Sequence, residues 1–186
     1  MIEIRPYQAA WPREFAAAGQ RIRRALGDLA VAIHHIGSTS VPGLAAKDII
    51  DIQLTVADLD GPYPEALHGI GFELGEPRCD HCPPGMSLAA EDLAKRFFKY
   101  RDRPTHLHVR AVGRFNQRYA LLFRDYLRAV PLAAQAYEAV KHQLAHYFPT
   151  DRTAYCEVKD PVCDALMIGA SAWAQQTSWL PGPSEA

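Results

Sequence analysis

The chain has 186 residues, 48% of them hydrophobic and 22% charged, with a formal net charge of −1. That is the size and composition of one soluble globular domain with a sizeable core, and the near-zero charge removes any general electrostatic case for binding nucleic acid or a membrane surface. No signal-type segment or bilayer-length apolar run is visible, so the expectation is a cytoplasmic protein, in which four cysteines need not form disulfides.

In chain order, Ile2 to Tyr7 alternates and predicts a short first strand. Trp11 to Leu26 carries Phe15, Ala18, Ile22 and Leu26 at helical spacing, and Gly27-Asp28 stops it. Val31 to Ile36 reads as a strand ending at Gly37, where only glycine turns sharply at no cost. Ser38, Thr39 and Ser40 follow, then Pro42 and Gly43, and Ile49 to Val56 is a second strand with Asp51 inside it. A carboxylate in an apolar strand needs a partner or a metal. The hydroxyls and amides of the turn suit phosphate oxygens, and Asp51 suits the Mg²⁺ or Mn²⁺ that accompanies them.

Further on, residues 58–70 predict a turn and a helix, Phe72 to Leu74 a short strand, and Glu76 to Gly85 a proline-rich loop. Arg96 to Tyr100 and Thr105 to Val112 predict an antiparallel pair. After Arg114 the pattern becomes helical over residues 115–130, 132–148 and 151–170, with Pro161 expected to kink or restart the last helix. The result is an α+β architecture in one domain, residues 1–175, sheet-rich over 1–113 and helical over 114–175, with 176–186 expected to be a loose tail.

Four groups of residues carry chemistry. Asp51 opposite Gly37-Ser38 is the first. His106 and His108 are the second: they alternate on a strand, so both rings leave one face at a spacing that suits one metal, or two hydrogen-bonded histidines. Lys47, Arg96, Arg110, Arg124, Arg128 and Lys159 are the third, basic residues for an anionic ligand, with Tyr155 and Lys159 on one helix face. The bland alternative is that acids such as Asp125 and Asp151 simply pair with some of them. Cys79 and Cys82 form the fourth: half of a zinc site whose other half would have to be Cys156 and Cys163, a redox pair, or idle loop thiols.

Gly37-Ser38 followed by Asp51-Ile52-Gln53-Leu54 resembles the turn-and-acid pattern of the nucleotidyltransferase superfamily, and His35-Ile36-Gly37-Ser38-Thr39-Ser40-Val41-Pro42-Gly43-Leu44-Ala45-Ala46-Lys47 resembles the GrpB family, also called UPF0157. The likeness extends through Trp11-Pro12, His106 to Val109, Phe123 to Arg128, and Tyr155 with Lys159. It implies a nucleotidyltransferase-like mixed sheet with helices, followed by a helical C-terminal half. It further implies a nucleoside triphosphate with a divalent metal as ligand, held by Gly37, Ser38, Thr39 and Ser40, and a small anionic partner rather than nucleic acid. Asp51 and Ser38 take the catalytic positions, with nucleotidyl transfer to a small acceptor as the reaction. Gln53 departs from the superfamily pattern, since a second carboxylate is usual there. This departure keeps a non-catalytic nucleotide-binding or coenzyme-A-related accessory module open, because GrpB-like domains occur fused to dephospho-CoA kinase. Hydrolysis at a metal bound by His106 and His108 is the further alternative.

Overall fold

A computed structural model describes residues 1–76 and 78–186. Helix α1 (Trp11–Leu26) precedes strands β1 (Ala32–Ile36) and β2 (Ile50–Val56), with a single 3-10 turn over Ser38–Ser40 between them. Then come α2 (Pro64–Gly69), β3 (Glu73–Leu74), β4 (Arg78–Cys79), α3 (Ala90–Leu93), β5 (Ala94–Tyr100) and β6 (Thr105–Ala111). Three long helices finish the chain: α4 (Phe115–Ala129), α5 (Pro131–Tyr147) and α6 (Arg152–Thr177). The sheet runs β1-β2-β6-β5-β3, with β4 also on β5; β2 and β6 are parallel and the other pairs antiparallel. The architecture is the expected mixed sheet followed by a helical half.

Strand alternation divides the sheet into an apolar and a polar face. Ile50, Ile52, Leu54 and Val56 of β2, with Leu107 and Val109 of β6, pack against Trp11, Phe15, Ile22 and Leu26 of α1 and Leu67 of α2. The same alternation sends Asp51, Gln53, His106, His108 and Arg110 to the opposite face, towards α4–α6. A second apolar cluster ties Val41 and Leu44, just past the turn, to Leu127, Ala133, Tyr137 and Cys163 of the helices. The polar face is therefore roofed by helices without being filled by them.

Several local expectations change. Among the described residues, the Ile2–Tyr7 segment forms one β-bridge, Arg5 to Ala46, in place of a strand, since Pro6 has no N–H to extend a ladder. Helix α6 runs unbroken through Pro161, because its packing on α4 and α5 outweighs the one lost backbone bond. The loop expected over 76–85 contains the short strand β4, while Pro77 lies outside the described residues. The segment expected to be loose is anchored: Glu185 N–H donates to Ile33 O, Ser184 Oγ accepts from Ile33 N–H, and Glu185 Oε2 accepts from His35 N–H. These contacts occupy the free edge of β1, which would otherwise leave backbone groups unpaired. Among the described residues, no helix is long and apolar enough to cross a membrane.

Candidate functional site

A cleft of about 520 Å³ lies between the polar face of the sheet and the helices. Its floor is set by register: Asp51 of β2 pairs with His106 of β6, and Gln53 with His108. Asp51 Oδ1 is 3.2 Å from His106 Nδ1 and 3.6 Å from His108 Nε2. Burial alone would raise the Asp51 pKa, but hydrogen bonding and attraction from the two imidazoles outweigh it, so the carboxyl is held well below its ordinary range. Burial, helped by Arg110 and Lys95, pushes His108 down to about 4, against hydrogen bonding to Asp51 that raises it. At neutral pH the cluster therefore presents an ionised carboxylate and a neutral imidazole, the protonation states a metal requires.

The same three residues offer donor atoms that all lie within 4.8 Å of one another. Two donors on one tetrahedral ion, each at about 2.0–2.1 Å, are separated by roughly 3.3 Å, so the observed spacing matches a coordination edge. His108 Nδ1 is buried without a hydrogen-bond partner among the described residues, so internal bonds do not close the cluster. Asp51, His106 and His108 thus fit one divalent ion. Two nitrogens and one carboxylate suit Mn²⁺ or a similar transition metal better than Mg²⁺, which prefers oxygen.

The turn lies directly over this cluster. Gly37 has φ 70°, and a Cβ there would sit 2.5 Å from Asp51 Oδ2. Of the three hydroxyls, Ser38 alone remains available to a ligand. Thr39 lines the cleft, but its Oγ1 contacts His35 Nε2 at 3.0 Å and donates to Ile49 O. Ser40 Oγ donates to Gly37 O and is buried away from the cleft. Both expected ligands instead stabilise the turn's own shape.

The basic residues separate into two sets. Lys47 and Lys159 line the cleft, with Tyr155 beside them. Arg96 does not: it alternates with Phe97 on β5, leaves the other face of the sheet and pairs with Asp60 at 2.6 Å. Lys95, one residue earlier, lines the cleft in its place. Arg124 is buried behind the turn, donating to His35 O and to the carboxylates of Asp125 and Glu185. Arg128 donates to Ser40 O. These two helix-face arginines brace the β1 end and the turn instead of meeting a ligand. Arg110 lines the cleft, yet its Nε donates to Asp80 Oδ2 at 2.8 Å and its Nη1 to Gln53 Oε1 at 2.7 Å.

Asp80 is the residue that sequence reading missed. It accepts from Lys95 and Arg110, and also from Asn116. The signal was present in the Cys79-Asp80-His81-Cys82 run, where the cysteines drew attention instead. All four cysteines are free, and the metal-competent cluster found among the described residues contains none of them. Gln53 is fully buried, with Nε2 donating to Gln117 O, so it forms part of this network and brings no charge to the floor.

A mixed sheet with a Gly-Ser turn over a strand carboxylate and a helical second half defines the nucleotidyltransferase fold. At the level of fold alone, the chain resembles the Cid1 poly(U) polymerase with Mg 3′-dATP bound, at TM-score 0.51 and 15% identity over 83% of this chain and 49% of that one. The chain belongs to the GrpB family, whose model, described as GrpB protein, matches residues 1–168. The crystal structure of the conserved protein GrpB from Enterococcus faecalis gives TM-score 0.71 at 28% identity, covering 96% of this chain and all 100% of that one. A UPF0157 protein of Pseudomonas aeruginosa is 38% identical over 180 residues, 92% of this chain and 68% of the relative. A protein named dephospho-CoA kinase from Mycolicibacterium paratuberculosis is 32% identical over 201 residues, 97% of this chain but 48% of the relative, so the chain spans about half of that protein.

Proposed function

We propose that this chain binds a nucleoside triphosphate together with one divalent metal ion at the floor of the cleft. The observation that carries the reading is the Asp51–His106–His108 cluster directly beneath the Gly37-Ser38 turn. Asp51 and the two imidazoles would hold the ion, and the Ser38 hydroxyl and nearby amides would orient phosphate oxygens beside it. The ion, when bound, would supply Lewis-acid polarisation at phosphorus.

The reaction class suggested by the fold is nucleotidyl transfer to a small acceptor. Gln53 argues for a modest rate: two ions close together need several anionic ligands, and Asp51 is the carboxylate of this cluster. A second reading, hydrolysis of a phosphate ester, is favoured by the two imidazole donors, which suit an ion that activates water. A coenzyme-A-related accessory role rests on the kinase relatives alone.

The test is thermal unfolding of metal-stripped protein with ATP, with Mn²⁺, and with both, followed by product analysis. A larger rise in Tm with both than with either alone is expected, because ligand bound to the native state stabilises it by mass action. It should shrink in Ser38→Ala and vanish in Asp51→Asn. No rise in wild type with any common nucleotide would overturn the proposal. Pyrophosphate release with an acceptor would favour transfer, and inorganic phosphate release without one would favour hydrolysis.

A further inference from the structure

The helical wall of the cleft has its own chemistry, separate from the metal floor. Arg152, Tyr155 and Lys159 of α6 all line the cleft. Their spacing, three then four residues, puts them on one stripe of the helix. Lys47 reaches this stripe from the opposite side, its Nζ 4.3 Å from the centre of the Tyr155 ring. Its backbone is fixed there, because α5 grips Ala45 at both ends: Glu138 accepts from Ala45 N–H and Lys141 donates to Ala45 O.

The charges on this wall are not balanced. Lys159 donates to Asp160 at 2.8 Å. Among the described residues, the Lys47 and Arg152 side chains have no hydrogen-bond or ion-pair partner, and Asp160 is the carboxylate in direct contact with this group of cations. Burial lowers the Lys47 pKa; Cys156 pulls it back up, and the nearness of Arg152 and Lys159 pushes it down again. Cations gathered on a cleft wall repel one another until an anion arrives. A guanidinium and two ammonium groups are the donor set that phosphate takes.

We propose that Lys47, Arg152 and Lys159, around the Tyr155 ring, form a phosphate subsite distinct from the metal-bound phosphate. The ligand class is then a small molecule, or a donor–acceptor pair, with phosphate at two separate places. One is on the metal floor and the other, a terminal phosphate group, is on the α6 wall. Only the position of the first phosphate rests on the function proposed above; the subsite itself needs no metal.

The experiment uses the full chain with EDTA present throughout and inorganic pyrophosphate as probe, followed by calorimetry and by ³¹P line broadening. Wild type should bind it, with affinity falling steeply as salt rises. Arg152→Gln, at an exposed position that the fold tolerates, should weaken binding about tenfold, as one charge-assisted contact is worth roughly a factor of ten. Lys159→Gln should do the same. Mn²⁺ affinity, measured separately without EDTA, should stay within twofold in Arg152→Gln. Absent binding in wild type, or binding indifferent to both substitutions, would overturn the subsite. Pyrophosphate binding that depends on Arg152, in a protein that takes no Mn²⁺, would leave the subsite standing and remove the metal reading alone.

Discussion

Gly37 and Asp51 are in such close approach that a methyl group on residue 37 would collide with the carboxylate, 2.5 Å from Oδ2. The glycine does two things at once: it adopts φ 70°, and it lets the turn backbone lie over the acid. Gly37→Ala should therefore cost about 1–3 kcal/mol of stability from backbone strain. It should also displace Asp51, weakening Mn²⁺ binding at least tenfold. Denaturant titration and metal titration of one preparation would separate the two effects, and unchanged metal affinity would mean that the turn does not position the acid.

Gln53 occupies the place where a second metal carboxylate would be expected, yet it is held between Arg110 and Gln117 O. In Gln53→Asp the shorter side chain would face Arg110 and be neutralised by it. The predicted result is one bound Mn²⁺ per chain, as in wild type, with a stability loss of about 1–2 kcal/mol from the vacated Gln117 carbonyl. A second bound ion with a gain in nucleotidyl transfer would show instead that the network yields readily to a metal.

Asp80 neutralises Arg110, whose side chain is 7% exposed, and contacts Lys95, whose side chain is 9% exposed. Burial would raise its pKa, but Arg110 and then Lys95 hold it well below the ordinary range. Asp80→Asn should cost about 3 kcal/mol or more, since removing one partner strands a buried charge. Chemical denaturation at pH 7 checks this; a change below 1 kcal/mol would mean that water compensates Arg110.

His35 stacks on Phe15 with ring centroids 4.7 Å apart, and burial lowers its pKa to about 4. Its folded pKa lies below the unfolded value of about 6.5, so the unfolded chain binds the extra proton between them. Stability should then fall as pH drops from about 6.5 towards 4, by on the order of 3 kcal/mol for this group, with His108 adding a loss of the same sign. The carboxylates with depressed values, Asp51 and Asp80, lose their contribution only below their ordinary range, about pH 4. His35→Phe should flatten the slope between pH 6.5 and 4.5 without abolishing it; an unchanged slope would remove His35 as a source.

The strand–turn–strand and the His106/His108 pair were legible because local rules govern them. Glycine marks the turn, alternation sets the faces, and a carboxylate in an apolar strand requires a reason. Arg96 was misread because β5 starts at Ala94, and its face is set by pairing with β6, which the local sequence does not contain. Arg124 and Arg128 share a helix face as expected, but nothing local says that this face meets β1 and the Ser40 carbonyl. The anchored segment over 182–186 was invisible for the same reason: its partners lie about 150 residues away, at Ile33 and His35. Long-range partners decide whether a charged side chain serves a ligand or the fold, and Asp80 shows the same thing from the acidic side.

Asp51, His106 and His108 are proposed to hold one divalent ion. Mn²⁺ titration of metal-stripped protein, read by the loss of free-Mn²⁺ electron paramagnetic resonance signal, tests it directly. One ion per chain is expected, with affinity reduced at least a hundredfold in Asp51→Asn and at least tenfold in His106→Ala and His108→Ala, and with Arg96→Gln behaving as wild type. Absence of binding in wild type, or binding that survives Asp51→Asn unchanged, would contradict it.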